Sequence, residues 1–134
     1  MYSERLGVLD DRQFQAALAR LGLGDFVRAD PVSGGLFGQN VFVTSTTGTW
    51  VLRGVPHYDW QFSAERFFCD LLHTRTRTPV PWPYLVDPRD DIFGWSYAIM
   101  PRMPGLQLSD PGVAGGLTRK DRLGMAHALS LIHI

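Results

Sequence analysis

The stretch PVSGGLFGQNVFVTSTTGTWVLRG, residues 31–54, decides the fold. It predicts the end of one strand, a glycine-rich turn, a second strand and, after a tight hairpin, a third. Asn40 to Thr46 and Thr49 to Val55 are rich in β-branched and aromatic residues, which suit a pleated, half-buried surface. Thr47-Gly48 between them suits a hairpin. Upstream, Phe26 to Val32 reads as a first strand, so the three form an antiparallel meander. Gly34, Gly35 and Gly38 mark a turn that needs permissive backbone or close approach by another group. That turn joins two strands and opens no helix, and the chain has no Gly-x-x-x-x-Gly-Lys-Ser/Thr run. A Rossmann unit and a P-loop are thereby excluded.

Outward from this core, a helix is predicted over 11–22, with Phe14, Ala17, Leu18 and Leu21 on one stripe. Asp10 or Asp11 can cap its start and Gly22 or Gly24 its end. After the meander, a second helix is predicted over 60–73. Asp59 or Ser63 is its expected cap, and Phe67, Phe68, Leu71 and Leu72 its expected buried face. Residues 74–83, TRTRTPVPWP, hold three prolines and read as an extended connector. Short strands follow over 84–86 and 95–100, separated by a turn at 87–91. Pro101, Pro104 and Gly105 break regular structure. A last helix spans 118–129, where Thr118 and Asp121 form a capping box and Leu123, Ala126 and Leu129 a weak apolar face. The order predicts an α+β fold: a five-stranded antiparallel sheet with one helix between strands three and four.

The chain of 134 residues has the size of one domain. Lys+Arg and Asp+Glu are 13 each, so the broad basic field of a nucleic-acid binder is not expected. Cys69 is the single cysteine, which excludes an intrachain disulfide and a cysteine metal cluster and reads as a small buried thiol. The start, MYSERLGVLDD, has no apolar signal segment, and no run approaches membrane-spanning length. A cytoplasmic protein without membrane partners is the expectation. The histidines, His57, His73, His127 and His133, form no close metal-ligand set.

Four features carry candidate chemistry. The glycines 34, 35 and 38 can bring backbone N–H groups close to phosphates, or they can form an ordinary wide hairpin. Arg53 stands in the apolar strand WVLRG, where a charge needs a reason. Glu65, in the first turns of the next helix, can pair with it. The Arg fork can hold a carboxylate and a phosphate together, although a purely structural pair satisfies the same pattern. Finally, YAIMPRMPG, residues 97–105, reads as an edge strand entering a Pro-rich connector. Its backbone can read a base edge, with Val51, Ile99, Met100 and Met103 around the ring, or it can be a linker with core filler.

Taken in order, these features resemble the small lobe of a protein-kinase-like fold. More closely they resemble the aminoglycoside phosphotransferase family, which also takes in choline- and homoserine-kinase-like enzymes. The family's Gly-Gly turn with a following Asn and aromatic is similar to Gly34, Gly35, Asn40 and Phe42. Its strand cation matches Arg53, its helix glutamate Glu65, and its hinge the segment 100–105, including Met100, Arg102 and Met103. Lysine is the usual residue at the Arg53 position.

The resemblance implies ATP as cofactor and phosphoryl transfer to a hydroxyl of a small molecule, with Mg²⁺ only in an intact parent. It divides the chain into an N-terminal helical segment (1–25), a nucleotide-binding small lobe (26–100), and a hinge with the start of a helical lobe (101–134). The family's His-Gly-Asp loop has no match in the sequence, so the expectation is a fragment truncated before the catalytic lobe and inactive alone. The closing SLIHI, residues 130–134, resembles sequencing-adaptor read-through. A non-catalytic nucleotide-binding or pseudokinase-like module and a plain α+β structural domain remain the other readings.

Overall fold

The computed structural model describes residues 1–32, 38–106 and 110–130. A short hairpin, β1 (Tyr2–Ser3) and β2 (Gly7–Val8), precedes helix α1 (Asp11–Arg20). Strands β3 (Phe26–Pro31), β4 (Asn40–Ser45) and β5 (Gly48–Gly54) lead to helix α2 (Gln61–Arg75). Strands β6 (Leu85–Asp87) and β7 (Tyr97–Pro101) and helices α3 (Pro111–Gly116) and α4 (Arg119–Ser130) complete the order. The main sheet has five strands in the order β3-β4-β5-β7-β6, antiparallel throughout. This is the expected α+β architecture, with α2 inserted between the third and fourth strands.

Local chemistry explains the ends of α1. The Asp10 carboxylate accepts from Arg12 N–H at 2.7 Å, and the Asp10 N–H donates to Gln13 Oε1 at 2.9 Å, closing a capping box. At the other end Gly22 takes a left-handed φ of +68°. Leu23 N–H then reaches Leu18 O at 2.9 Å and Gly22 N–H reaches Ala19 O at 3.2 Å. Both carbonyls would otherwise lack partners.

Strand alternation sorts the sheet into two faces. Val41, Val43, Leu52, Tyr97 and Ile99 project to one side and form the main core with Phe14, Ala17 and Leu18 of α1. Leu6 and Leu9 from the N-terminal hairpin segment close it. Each fully buried large side chain contributes about 1.5–3 kcal/mol, and Leu6, Leu9, Phe14, Leu18 and Leu23 make such contributions from the N-terminal segment. On the opposite face, Ala98 and Met100 pack with Phe62 and Cys69 of α2 and with Tyr84, and Val51 joins them partly buried.

Several expectations differ from the structure. The charged N-terminus contains the β1–β2 hairpin, which is too short for a periodic signal. The Gly/Pro-rich run at 111–116 forms a helical turn capped by Asp110, whose side chain accepts from Gly112 N–H at 2.8 Å. The β4–β5 turn is Thr46-Thr47, closed by the pair Ser45 and Gly48. Helix α2 runs on through Thr74 and Arg75. It begins after Trp60, and no side chain caps it, so neither Asp59 nor Ser63 takes that role. Its buried residues are Phe62 and Cys69, while Phe67, Phe68 and Leu71 are exposed. Strand β7 is interior, between β5 and β6, and is not an edge. The Thr118–Asp121 box forms as expected, and Leu123 and Leu129 of α4 are exposed.

Candidate functional site

Arg53 and Asn40 are direct neighbours across β4 and β5. The adjacent residues Gln39 and Gly54 make the backbone hydrogen bond, at 2.9 Å. Arg53 and Asn40 therefore form a non-hydrogen-bonded pair, the type that brings side chains closest. Arg53 Nε donates to Asn40 Oδ1 at 3.2 Å. Its Nη1 donates to Glu65 Oε2 at 2.6 Å, so α2 and the sheet are tied by an ion pair with both side chains a little over a quarter exposed.

Glu65 is held from three sides. Gln61, one helical turn earlier, donates to Oε1 at 2.9 Å, and the Tyr84 hydroxyl donates to Oε2. Burial pushes the Glu65 carboxyl up, but the Tyr84 and Gln61 hydrogen bonds and the Arg53 charge outweigh it, and the net displacement is downward. Burial, followed by the bond to Glu65, pushes the Tyr84 phenol well above its ordinary range. The Glu65 carboxylate is thus ionised at neutral pH, with a phenol donor fixed beside it. The bonds to Asn40 and Glu65 engage Nε and Nη1 of the guanidinium.

Val51 lies opposite Phe42 on one side and Met100 on the other. Asn40, Phe42, Val51, Arg53 and Met100 therefore share one sheet face, polar at one end and apolar at the other. Ile99 points into the opposite core and is fully buried, so it cannot flank a ring on this face. Beyond β7, Arg102 N–H donates to Thr49 O at 3.0 Å. Strand alternation then turns the Pro101 carbonyl to the other side, beyond the start of β6. The Arg102 guanidinium lies 3.7 Å from the centroid of the Phe42 ring, and Met103 is exposed.

Of the glycine turn, Gly38 is described, with φ +58°; Gly34 and Gly35 lie outside the described residues. A cleft of about 630 Å³ opens between α2 and the sheet, bordered by Arg53, Glu65, Cys69, Tyr84 and Met100 and by the stacked, exposed rings of Tyr58 and Trp60. Its size is that of a small-molecule site. Burial, with Asp70 adding, pushes the Cys69 thiol up. Among the described residues no group of three or more His, Cys, Asp or Glu side chains is placed to hold a metal.

The sequence reading brought Asn40, Arg53 and Glu65 forward but missed Gln61 and Tyr84. Gln61 lies four residues before Glu65, a spacing that puts both on one helical face. Tyr84 is nineteen residues away, and nothing local marks its contact.

A five-stranded antiparallel sheet with an ion-paired strand cation, an inserted helix and a Pro-rich exit from the strand beside it defines a protein-kinase-like N-terminal lobe. The chain belongs to the phosphotransferase enzyme family, whose model matches residues 28–133. No curated protein and no solved structure matches it.

Proposed function

We propose that this chain is the nucleotide-holding lobe of an ATP-dependent phosphotransferase that acts on a hydroxyl of a small molecule. The observation that carries this reading is the Arg53–Glu65 pair, anchored by Asn40, Gln61 and Tyr84 at the polar end of the Val51–Met100 face. In this reading Arg53 binds the phosphates as a fork, Glu65 sets its direction, and Gly34, Gly35 and Gly38 supply backbone donors above them. Val51 and Met100 contact the base, Arg102 and Met103 flank it, and the Pro101 carbonyl accepts from its amino group.

Bound ATP with Mg²⁺ would supply the transferable phosphoryl group. Transfer itself needs a base or positioning carboxylate and a metal-holding carboxylate. The sequence has no His-Gly-Asp loop to provide them, so we assign those groups to further residues of an intact parent.

Calorimetric titration of ATP separates nucleotide binding from a structural pair. The parent chain should bind saturably, and Arg53→Ala should weaken binding by at least roughly tenfold, because it leaves Glu65 unpaired as well as removing the fork. Glu65→Gln, which keeps the shape and loses the charge, should fall between them. Equal binding by the parent and Arg53→Ala would make the pair purely structural.

A further inference from the structure

The N-terminal hairpin reaches the candidate site through one side chain. The guanidinium of Arg5, in the turn between β1 and β2, donates from Nη2 to the Val55 carbonyl at 3.1 Å and lies 3.1 Å from His57 Nδ1. Because Arg can only donate, Nδ1 accepts in this contact. The Val55 carbonyl also accepts from Gln39 Nε2 at 2.6 Å, and Gln39 is buried. Val55 is the described non-glycine residue with positive φ, +47°, a costly conformation for a β-branched side chain that persists only where its surroundings hold it.

The same hairpin touches the glycine turn where that turn rejoins the sheet. Ser3 Oγ donates to the Gly38 carbonyl at 3.1 Å, and a Cβ on Gly38 would meet Arg5 Cβ at 3.6 Å. Gly38 and Gln39 immediately precede Asn40, and Val55 follows Arg53 by two residues. The two backbone segments that flank the Asn40–Arg53 contact are therefore joined through Val55 O and backed by Arg5.

We propose that Arg5 is a positioning residue for the nucleotide site, bracing the return of the glycine turn at Gly38–Gln39 against the β5–α2 connection at Val55–His57. The assignment rests on the nucleotide reading above. Arg5 touches no reacting atom in this scheme. It acts by limiting the motion of the two segments that carry Asn40 and Arg53.

Three variants of the full chain test this: Arg5→Met, which keeps the aliphatic stem without the donors; Arg5→Lys, which restores one charged donor; and Leu6→Ala, which weakens the buried hairpin contact and leaves the donors. Amide hydrogen exchange is measured without ligand, and ATP affinity well below the melting transitions. Arg5→Met should speed exchange at both Gly38–Asn40 and Val55–Tyr58 and weaken ATP binding about fivefold. Arg5→Lys should recover part of both, and Leu6→Ala should melt earlier yet bind ATP as the parent does. If the parent and Arg53→Ala differ in ATP binding while Arg5→Met matches the parent, the bracing role is overturned and the nucleotide reading stands. If the parent binds no ATP, the nucleotide reading fails and takes the role of Arg5 with it, whatever exchange shows.

Discussion

Asp87 is the buried carboxylate among the described residues, its side chain fully enclosed at the end of β6. It accepts from Arg20 at 2.9 Å, from the side chain and backbone N–H of Arg89, and from the Tyr97 hydroxyl at 3.0 Å. Burial alone would raise its pKa. The bonds from Arg89, Arg20 and Tyr97 outweigh it and hold the carboxyl far below the usual range. In the unfolded chain the same group titrates at about 3.9. The folded state therefore holds the proton more weakly, and the stabilisation is fully present above the unfolded value and is lost progressively as pH falls from there through the lower folded value. Asp87→Asn should cost about 3 kcal/mol at neutral pH, since Arg20 keeps Asp91 as a second partner. Urea midpoints at neutral pH and at about pH 3 should differ less for Asp87→Asn than for the parent. Asp91, Asp121 and Glu65 are lowered too and retain part of the acid limb. An unchanged difference between the two midpoints would remove Asp87 from that limb.

At the scale of elements, β5 shows how close packing restricts sequence. A Cβ on Gly54 would lie 2.2 Å from the Trp95 ring, which is stacked on Phe93 in the core. A Cβ on Gly48, at the other end of the same strand, would meet Trp50 at an ordinary 3.6 Å. Gly54→Ala should therefore destabilise by about 1–3 kcal/mol through overpacking, while Gly48→Ala stays close to the parent in melting temperature. Similar losses in both would remove the Trp95 contact as the cause, since lost backbone entropy at a compatible φ favours Ala over Gly.

The meander and α1 were legible because their patterns are local: β-branched alternation for β4 and β5, and an apolar stripe with a capping acid for α1. The buried side of α2 was not. Phe62, Phe67, Phe68, Cys69, Leu71 and Leu72 surround that helix, so periodicity alone does not say which side meets the sheet. The interior place of β7 was equally hidden, because β6 reaches it by a connection whose sequence says nothing of sheet order. Arg53 stood out as a charge in an apolar strand, whereas Tyr84 and Arg5 reach the site through folding and carry no local mark.

For the molecule as a whole, the described residues assemble a cation, a carboxylate and an apolar sheet face, and the sequence supplies no His-Gly-Asp loop. On the proposed division of labour, the chain alone should show no Mg²⁺-dependent transfer of radiolabelled phosphate from ATP to hydroxyl acceptors such as amino alcohols, sugars or aminoglycosides. Clear turnover by the purified chain would contradict the division of labour proposed here. In the proposed scheme, binding rests on residues of this chain, so it is the more direct test.

Nuclear magnetic resonance of the isotope-labelled chain during an ATP titration locates the ligand as well as detecting it. The account predicts saturable shifts concentrated at Asn40, Val51, Arg53, Glu65 and Met100–Met103, with the opposite-face residues Val43, Leu52 and Ile99 little affected, and their loss in Arg53→Ala. Shifts centred elsewhere, or none at ATP concentrations in the millimolar range of weak binding, would contradict it.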